Sequence, residues 1–256
     1  LLISSKPESS EEIKTDFMCP HGQIDKACFL CNPPSFFTSG EINFKTKLNQ
    51  FRKAIRIIRN GGLVIAPTET FYGIIADARS QKAVKRLVQL KGSDYGKPIP
   101  LIAGSIQVVR NAANNIPPVL TDLAREFWPG PLTCVLHAAK GFPSGITGGT
   151  NSIGIRIPAQ SPALDLAKFY RSPLTATSAN FNGQPGPRCV RELDEDLVRE
   201  VDLVINGGWT RGVQPSTVLN LIPDQPTMLR NGILGKQVDS FLSELSWRME
   251  LGSVPV

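Results

Sequence analysis

The sequence predicts an α/β fold, on three observations. Short apolar runs, such as residues 63–66, alternate along the chain with longer stretches that carry apolar residues at helical spacing. Several of those runs end in small polar clusters, Thr68-Glu69-Thr70 and Ser178-Ala179-Asn180 among them, and ligands in α/β folds gather at the carboxyl ends of strands. The chain has 256 residues, 41% of them apolar, enough to bury one large core or two small ones.

Taken in order, residues 47–60 read as a helix. Leu48, Phe51, Ile55 and Ile58 fall on one face, and Arg52, Lys53, Arg56 and Arg59 lie elsewhere, as suits a solvated face near a helix C-terminus. Gly61 caps that helix. Residues 63–66 form a buried strand that Pro67 ends. Residues 81–91 form a second helix with Val84, Leu87 and Val88 inward. Lys91 stands at its C-terminal end, and Lys97 follows a glycine-containing loop. Two such lysines fit phosphate binding and a charged surface loop equally, and no Walker P-loop is present.

A strand is expected over 99–103, a helix capped by Ser105 up to 113, and a helix from Pro117-Pro118 to 127. Trp128-Pro129-Gly130-Pro131 stops that last helix, and residues 132–137 follow as a strand in which His137 has a structural place. The Gly/Thr-rich stretch 141–151 is expected to be mobile. Ser152 and Arg156 flank the strand 153–157 and, four apart, share a face. That face carries a hydroxyl and a guanidinium, the latter suited to bidentate carboxylate or phosphate binding. A helix over 162–170, a strand over 174–177, a charged helix over 191–200, strands over 203–205 and 218–222, the segment 228–230 and a helix over 237–250 complete the chain.

Charge and composition narrow the function. The net charge of +6 favours anionic partners such as nucleotides, RNA or a phosphorylated substrate, without choosing among them. Five cysteines, three of them clustered near the N-terminus, do not make a disulfide framework, so a reducing, cytoplasmic setting is expected. Cys28 and Cys31 form a C-x-x-C, and Cys19 and His21 complete four candidate zinc ligands within the polar segment 1–44. A thiol-rich tail without metal fits the same residues. No run approaches the roughly 20 apolar residues of a membrane span, and the opening LLISSKPESS holds no apolar leader core.

Seven ordered blocks, PTETFYGIIADA, KGSDYGKPIP, FWPGPLT, SIGIRIP, TSAN, PSTVLNL and MLRNG, resemble the YrdC-like threonylcarbamoyl-AMP synthase family. The resemblance spans about residues 45–235, leaving 1–44 outside it and 236–256 as a C-terminal helix and tail. It implies a twisted, mixed sheet flanked by helices around a large electropositive cavity. It also implies condensation of L-threonine, bicarbonate and ATP, the last with Mg²⁺, into threonylcarbamoyl-adenylate and pyrophosphate. A tRNA-modification partner complex would then place the threonylcarbamoyl group on adenosine 37 of tRNAs that read codons beginning with A.

Residue by residue, the resemblance puts Thr68, Arg156 and Ser216 at threonine, with Arg156 on its carboxylate. It puts Lys91, Ser152, Ser178, Asn180 and Arg230 at ATP. Lys91, Ser178 and Asn180 match three members of the family's K-x-R…S-x-N tetrad. Its arginine is Ser93 here, the family's frequent asparagine four residues later is Lys97, and a frequent substrate-side histidine is Ile102. Lys97 is the candidate to supply the charge that Ser93 lacks at the triphosphate. No protein nucleophile is required, because positioning and electrostatic stabilisation of the transferring phosphoryl group suffice. Two other readings fit the departures: a non-catalytic YrdC-like protein that binds double-stranded RNA or tRNA, and another adenylating or carbamoyl-transferring enzyme on the same fold.

Overall fold

The computed structural model of the protein describes residues 41–92, 97–181 and 183–252, with side chains from 48 to 245. Helix α1 (Glu41–Arg59) turns Phe51, Ala54, Ile55 and Ile58 into the core and leaves Lys53, Arg56 and Arg59 exposed. It ends at Gly61, whose φ of 77° lies in the left-handed region that an L side chain resists. Strand β1 (Val64–Pro67) pairs antiparallel with β2 (Tyr72–Ile75) through the turn that holds the Thr68-Glu69-Thr70 cluster. Leu63 and Ile65 point into one apolar cluster, Val64 and Ala66 into the other. A strand buried on both faces has no polar side to show, which is why this stretch reads as a continuous apolar run.

Helix α2 (Gln81–Lys91) is capped by the Ser80 side chain and stops at Gly92. Strand β3 (Leu101–Ile102), helix α3 (Ile106–Ala112) with its Ser105 cap, strand β4 (Ala113–Asn114) and helix α4 (Val119–Phe127) follow. Then come β5 (Leu132–Ala138), the single-turn α5 (Ser144–Thr147), β6 (Ser152–Arg156) and α6 (Pro162–Tyr170). Strands β7 (Leu174–Thr175) and β8 (Thr177–Ser178) are followed by helix α7 (Glu195–Glu200), strands β9 (Leu203–Val204), β10 (Thr217–Asn220) and β11 (Thr227–Arg230), and helix α8 (Gly235–Gly252).

Two mixed sheets result. One runs β8-β2-β1-β9; the other runs β11-β10-β5-β6-β3-β7, with β4 also on β5. β1–β9, β5–β10 and β3–β6 are parallel and the remaining pairs antiparallel. The expected α/β architecture with mixed sheets and flanking helices is therefore the observed one. No helix among the described residues is long and apolar enough to cross a membrane.

Several local expectations change. The stretch 174–177 is not one strand: β7 belongs to the larger sheet and β8 to the smaller. The crossing is stitched by the fully buried Thr175, whose hydroxyl accepts from the Ala76 N–H at 2.9 Å and donates to the Ile74 carbonyl at 3.0 Å. The Gly/Thr-rich stretch 141–151 holds regular structure in part. It forms α5 with a left-handed Gly148, and the Thr150 hydroxyl donates to the Thr147 carbonyl at 2.6 Å. The charged helix splits into a 3₁₀ turn (Val190–Glu192) and α7, because the Asp194 side chain accepts from the N–H groups of Asp196 and Leu197 and so starts a new helix. Pro67 remains in the ladder as the last residue of β1, opposite Tyr72.

Asp165, in the first turn of α6, is 2% exposed. One carboxylate oxygen accepts from Gln160 at 3.2 Å, and the other has no partner. Burial pushes its carboxyl up to about 6. The ionised form is thus disfavoured in the fold: the penalty is absent below the ordinary value of 3.8, grows as pH rises to about 6 and stays constant above. Asp165→Asn is expected to raise stability at pH 7.5 by about 1–2 kcal/mol, the helix N-terminus having offset part of the cost in the parent. Thermal unfolding at pH 7.5 and pH 4 checks it, since the gain should vanish at the lower pH.

Candidate active site

A cavity of about 350 Å³ opens between the two sheets. The smaller sheet contributes the β1–β2 turn, Tyr72 and Gly73 of β2, and Ser178 at the end of β8. The larger contributes Leu101, Thr133, Arg156, Ser216 and Arg230. Strand register explains that second set. Thr133 lies opposite Val218 on the parallel β10, and Cys134 opposite Ile155, so the alternate residues Thr133 and Gly154 turn to the same side as Arg156. A Cβ on Gly154 would sit 3.3 Å from the Thr133 methyl group.

The β1–β2 turn is tied together by its own hydrogen bonds. The Thr68 hydroxyl donates to the Phe71 carbonyl at 2.8 Å and accepts from the Thr70 N–H at 3.1 Å, and it contacts the Thr70 hydroxyl at 3.0 Å. Glu69, between them, forms an ion pair with Arg156, whose second terminal nitrogen lies 3.4 Å from the Thr70 hydroxyl. Arg156 is 6% exposed, so its charge would be costly there without Glu69. Across the cavity, the Arg230 guanidinium donates to the Ser216 carbonyl and hydroxyl, each at 2.9 Å, and the Ser216 hydroxyl meets the Thr133 hydroxyl at 3.0 Å. Burial, and then the nearby Arg156, push the Arg230 guanidinium downward from its ordinary value.

Behind the β8 end sits Lys91, 9% exposed. Its ammonium donates to the Ser178 carbonyl at 3.1 Å, to the Asn180 carbonyl, and to the Asn180 side-chain oxygen at 3.3 Å. The Ser178 hydroxyl donates to that same side-chain oxygen at 2.6 Å. Burial pulls Lys91 down to about 8.

Of the residues singled out from the sequence, Thr68, Arg156, Ser178, Asn180, Ser216 and Arg230 all line this cavity. Lys91 stands directly behind it. Ser152 is buried at the opposite end of β6 from Arg156, its hydroxyl 2.7 Å from that of Thr150, and does not line it. Lys97 is exposed and also outside the lining. Cys19, His21, Cys28, Cys31 and Ser93 lie outside the described residues. Ile102 is fully buried in the core. Sequence reasoning did not give Glu69, Thr70 and Thr133 a role of their own. The first two lay inside a motif already noted; Thr133 becomes visible only through the pairing of β5 with β10.

The comparisons with known proteins agree with one another. The Sua5/YciO/YrdC family model, described as "Telomere recombination", matches residues 56–232. A threonylcarbamoyl-AMP synthase of Pyrococcus abyssi is 36% identical over 207 residues, covering 80% of this chain and 61% of that protein. A threonylcarbamoyl-AMP synthase of Mus musculus is 32% identical over 201 residues, covering 75% and 70%. The structure of P. abyssi Sua5 complexed with L-threonine superposes with a TM-score of 0.68 at 39% identity, over 71% of this chain and 54% of that one. The chain thus spans little more than half the length of the Pyrococcus relative.

Proposed function

The chain belongs to the Sua5/YciO/YrdC family, and from that premise we propose that it is an L-threonylcarbamoyladenylate synthase. One observation carries the reading: the matched blocks, scattered from residue 68 to residue 230, gather round a single cavity whose charged lining residues are two arginines. Such a lining favours an anionic ligand, and the threonine complex of P. abyssi Sua5 names one amino acid held by a related protein.

In the first step the threonine ammonium and bicarbonate give the carbamate, one water and one proton: a C–N bond forms and a C–O bond breaks. In the second, a carbamate oxygen attacks the α-phosphorus of ATP, the bond to the β-phosphate oxygen breaks, and pyrophosphate leaves. Arg156 would hold the threonine carboxylate, with Thr68 and Ser216 as polar neighbours. Ser178 and Asn180, fixed from behind by Lys91, would seat the phosphates, and Arg230 would offset their charge. Lys97 and Ser152 would act at the edge of the ATP site. Mg²⁺ would enter with ATP as part of the substrate. A separate cytoplasmic tRNA-modification complex would consume the product.

The test is pyrophosphate release from Mg-ATP in bicarbonate buffer, with and without L-threonine. Threonine-dependent release, much weaker with serine, is the expected result. Release that ignores threonine would point to a different adenylating reaction, and no release from folded, ATP-binding protein would overturn the synthase reading.

A further inference from the structure

Glu69 belongs to none of the roles above, yet it is the group that meets Arg156. Its side chain is 15% exposed, one oxygen is paired with the guanidinium, and the other is buried without a partner. Among the described residues no other carboxylate is ion-paired with either cavity arginine. Glu69 itself does not line the cavity; Arg156 does. The carboxylate therefore works on a ligand through Arg156 and through its field, rather than by contact.

We infer that Glu69 is a specificity-determining residue: by neutralising Arg156 it makes that end of the cavity select a zwitterionic amino acid over a simple carboxylate anion. The inference rests on the proposed function, which puts the substrate carboxylate on Arg156.

The argument is one of charge balance in a poorly solvated place. An unpaired guanidinium attracts any carboxylate. One already paired with Glu69 offers hydrogen-bond donors of fixed direction but little net charge. A 2-hydroxy acid then brings an uncompensated negative charge toward a carboxylate, whereas threonine brings its ammonium with it. Interactions between unit charges a few ångströms apart remain strong where water is scarce, so the difference is large enough to measure. The turn geometry keeps the arrangement fixed, since Glu69 lies between Thr68 and Thr70, whose hydroxyls are 3.0 Å apart. The Arg230 guanidinium, near enough to Arg156 to repel it, raises the need for a counter-charge on that side.

Calorimetric titration of the full chain with L-threonine and with its 2-hydroxy analogue, 2,3-dihydroxybutanoate, tests this. Wild type should bind threonine at least about tenfold more tightly than the analogue. Glu69→Gln, which keeps an oxygen acceptor for Arg156 while removing the charge, should bring the two affinities within about threefold, mainly by strengthening the analogue. A Glu69→Gln protein that keeps the wild-type ratio overturns the inference. Because removal of one partner of a buried pair can prevent folding, the wild-type ratio is itself decisive: equal binding of the two ligands also overturns it. If wild type releases pyrophosphate with threonine yet shows no discrimination, only this inference falls. If it neither binds threonine nor releases pyrophosphate, the synthase reading falls and takes this inference with it.

Discussion

Lys91→Met is expected to lower threonine-dependent pyrophosphate release by about 10²–10³ in kcat, the usual consequence of removing one fixed electrostatic donor from a phosphoryl-transfer site. Methionine keeps most of the apolar stem at a position that is 9% exposed, so packing of α2 against the core should survive. What is lost is the ammonium that ties together the Ser178 carbonyl, the Asn180 carbonyl and the Asn180 side-chain oxygen. Without it, the Ser178 and Asn180 carbonyls lose their shared donor and the Asn180 side-chain oxygen keeps only the Ser178 hydroxyl, so the β8 end can no longer keep Ser178 and Asn180 aimed at the cavity. The same charge sets a pH limit. Burial has brought Lys91 down to about 8, so the ammonium-dependent part of turnover should fall as pH rises through that value, well before an exposed lysine would titrate. Steady-state kinetics at saturating threonine and Mg-ATP, from pH 7 to 9.5, measure both effects. Turnover near that of wild type in Lys91→Met would remove the lysine from the proposed machinery.

Residues whose role is local were legible in the sequence. Ser105 caps α3 as expected, accepting from the Val108 N–H, and the helices expected over 81–91 and 162–170 from apolar spacing are α2 and α6 with those bounds, which Ser80 and Ser161 cap in the same way. The polar clusters at residues 68–70 and 178–180 were visible as strand ends. That they face one cavity was not visible, because it depends on β8 pairing with β2 at the Gly73–Ser178 and Ile74–Thr177 positions. Two-residue strands such as β7, β8 and β9 are too short for a period of two to register. Glu69 shows the limit most clearly. In the sequence it is an acid on a turn, as suited to solvent as to anything else. Only the register that brings β6 alongside β3 and β5, and so sets Arg156 against the β1–β2 turn, turns it into the counter-ion of a buried guanidinium.

Gly212→Ala should lower kcat/KM for threonine by about 10², through a residue that touches none of the proposed substrates. Gly212 is buried in the connection between β9 and β10, pressed against the β1–β2 turn. A Cβ there would lie 1.8 Å from the Thr70 carbonyl oxygen and 2.4 Å from its carbon. Those are backbone atoms, so no side-chain rotation relieves the overlap, and either the turn or the connection must move. The connection is held on its other side. The Tyr72 hydroxyl donates to the Gly208 carbonyl at 2.6 Å and accepts from the Gly207 N–H at 3.1 Å, and the Thr210 N–H donates to the Arg188 carbonyl at 2.8 Å. The displacement therefore falls largely on Thr68–Phe71, and with it on Glu69 and Thr70, the two side chains that orient Arg156. Threonine should bear most of the loss and ATP little, because Ser178 and Asn180 lie at the end of β8 and just beyond it, and Lys91 at the end of α2. Val213→Ala, at a neighbouring position that is 82% exposed, serves as the control and should leave both unchanged. Equal losses toward threonine and ATP in Gly212→Ala, with an unfolding temperature far below that of wild type, would mean that the glycine holds the domain together rather than the turn in place.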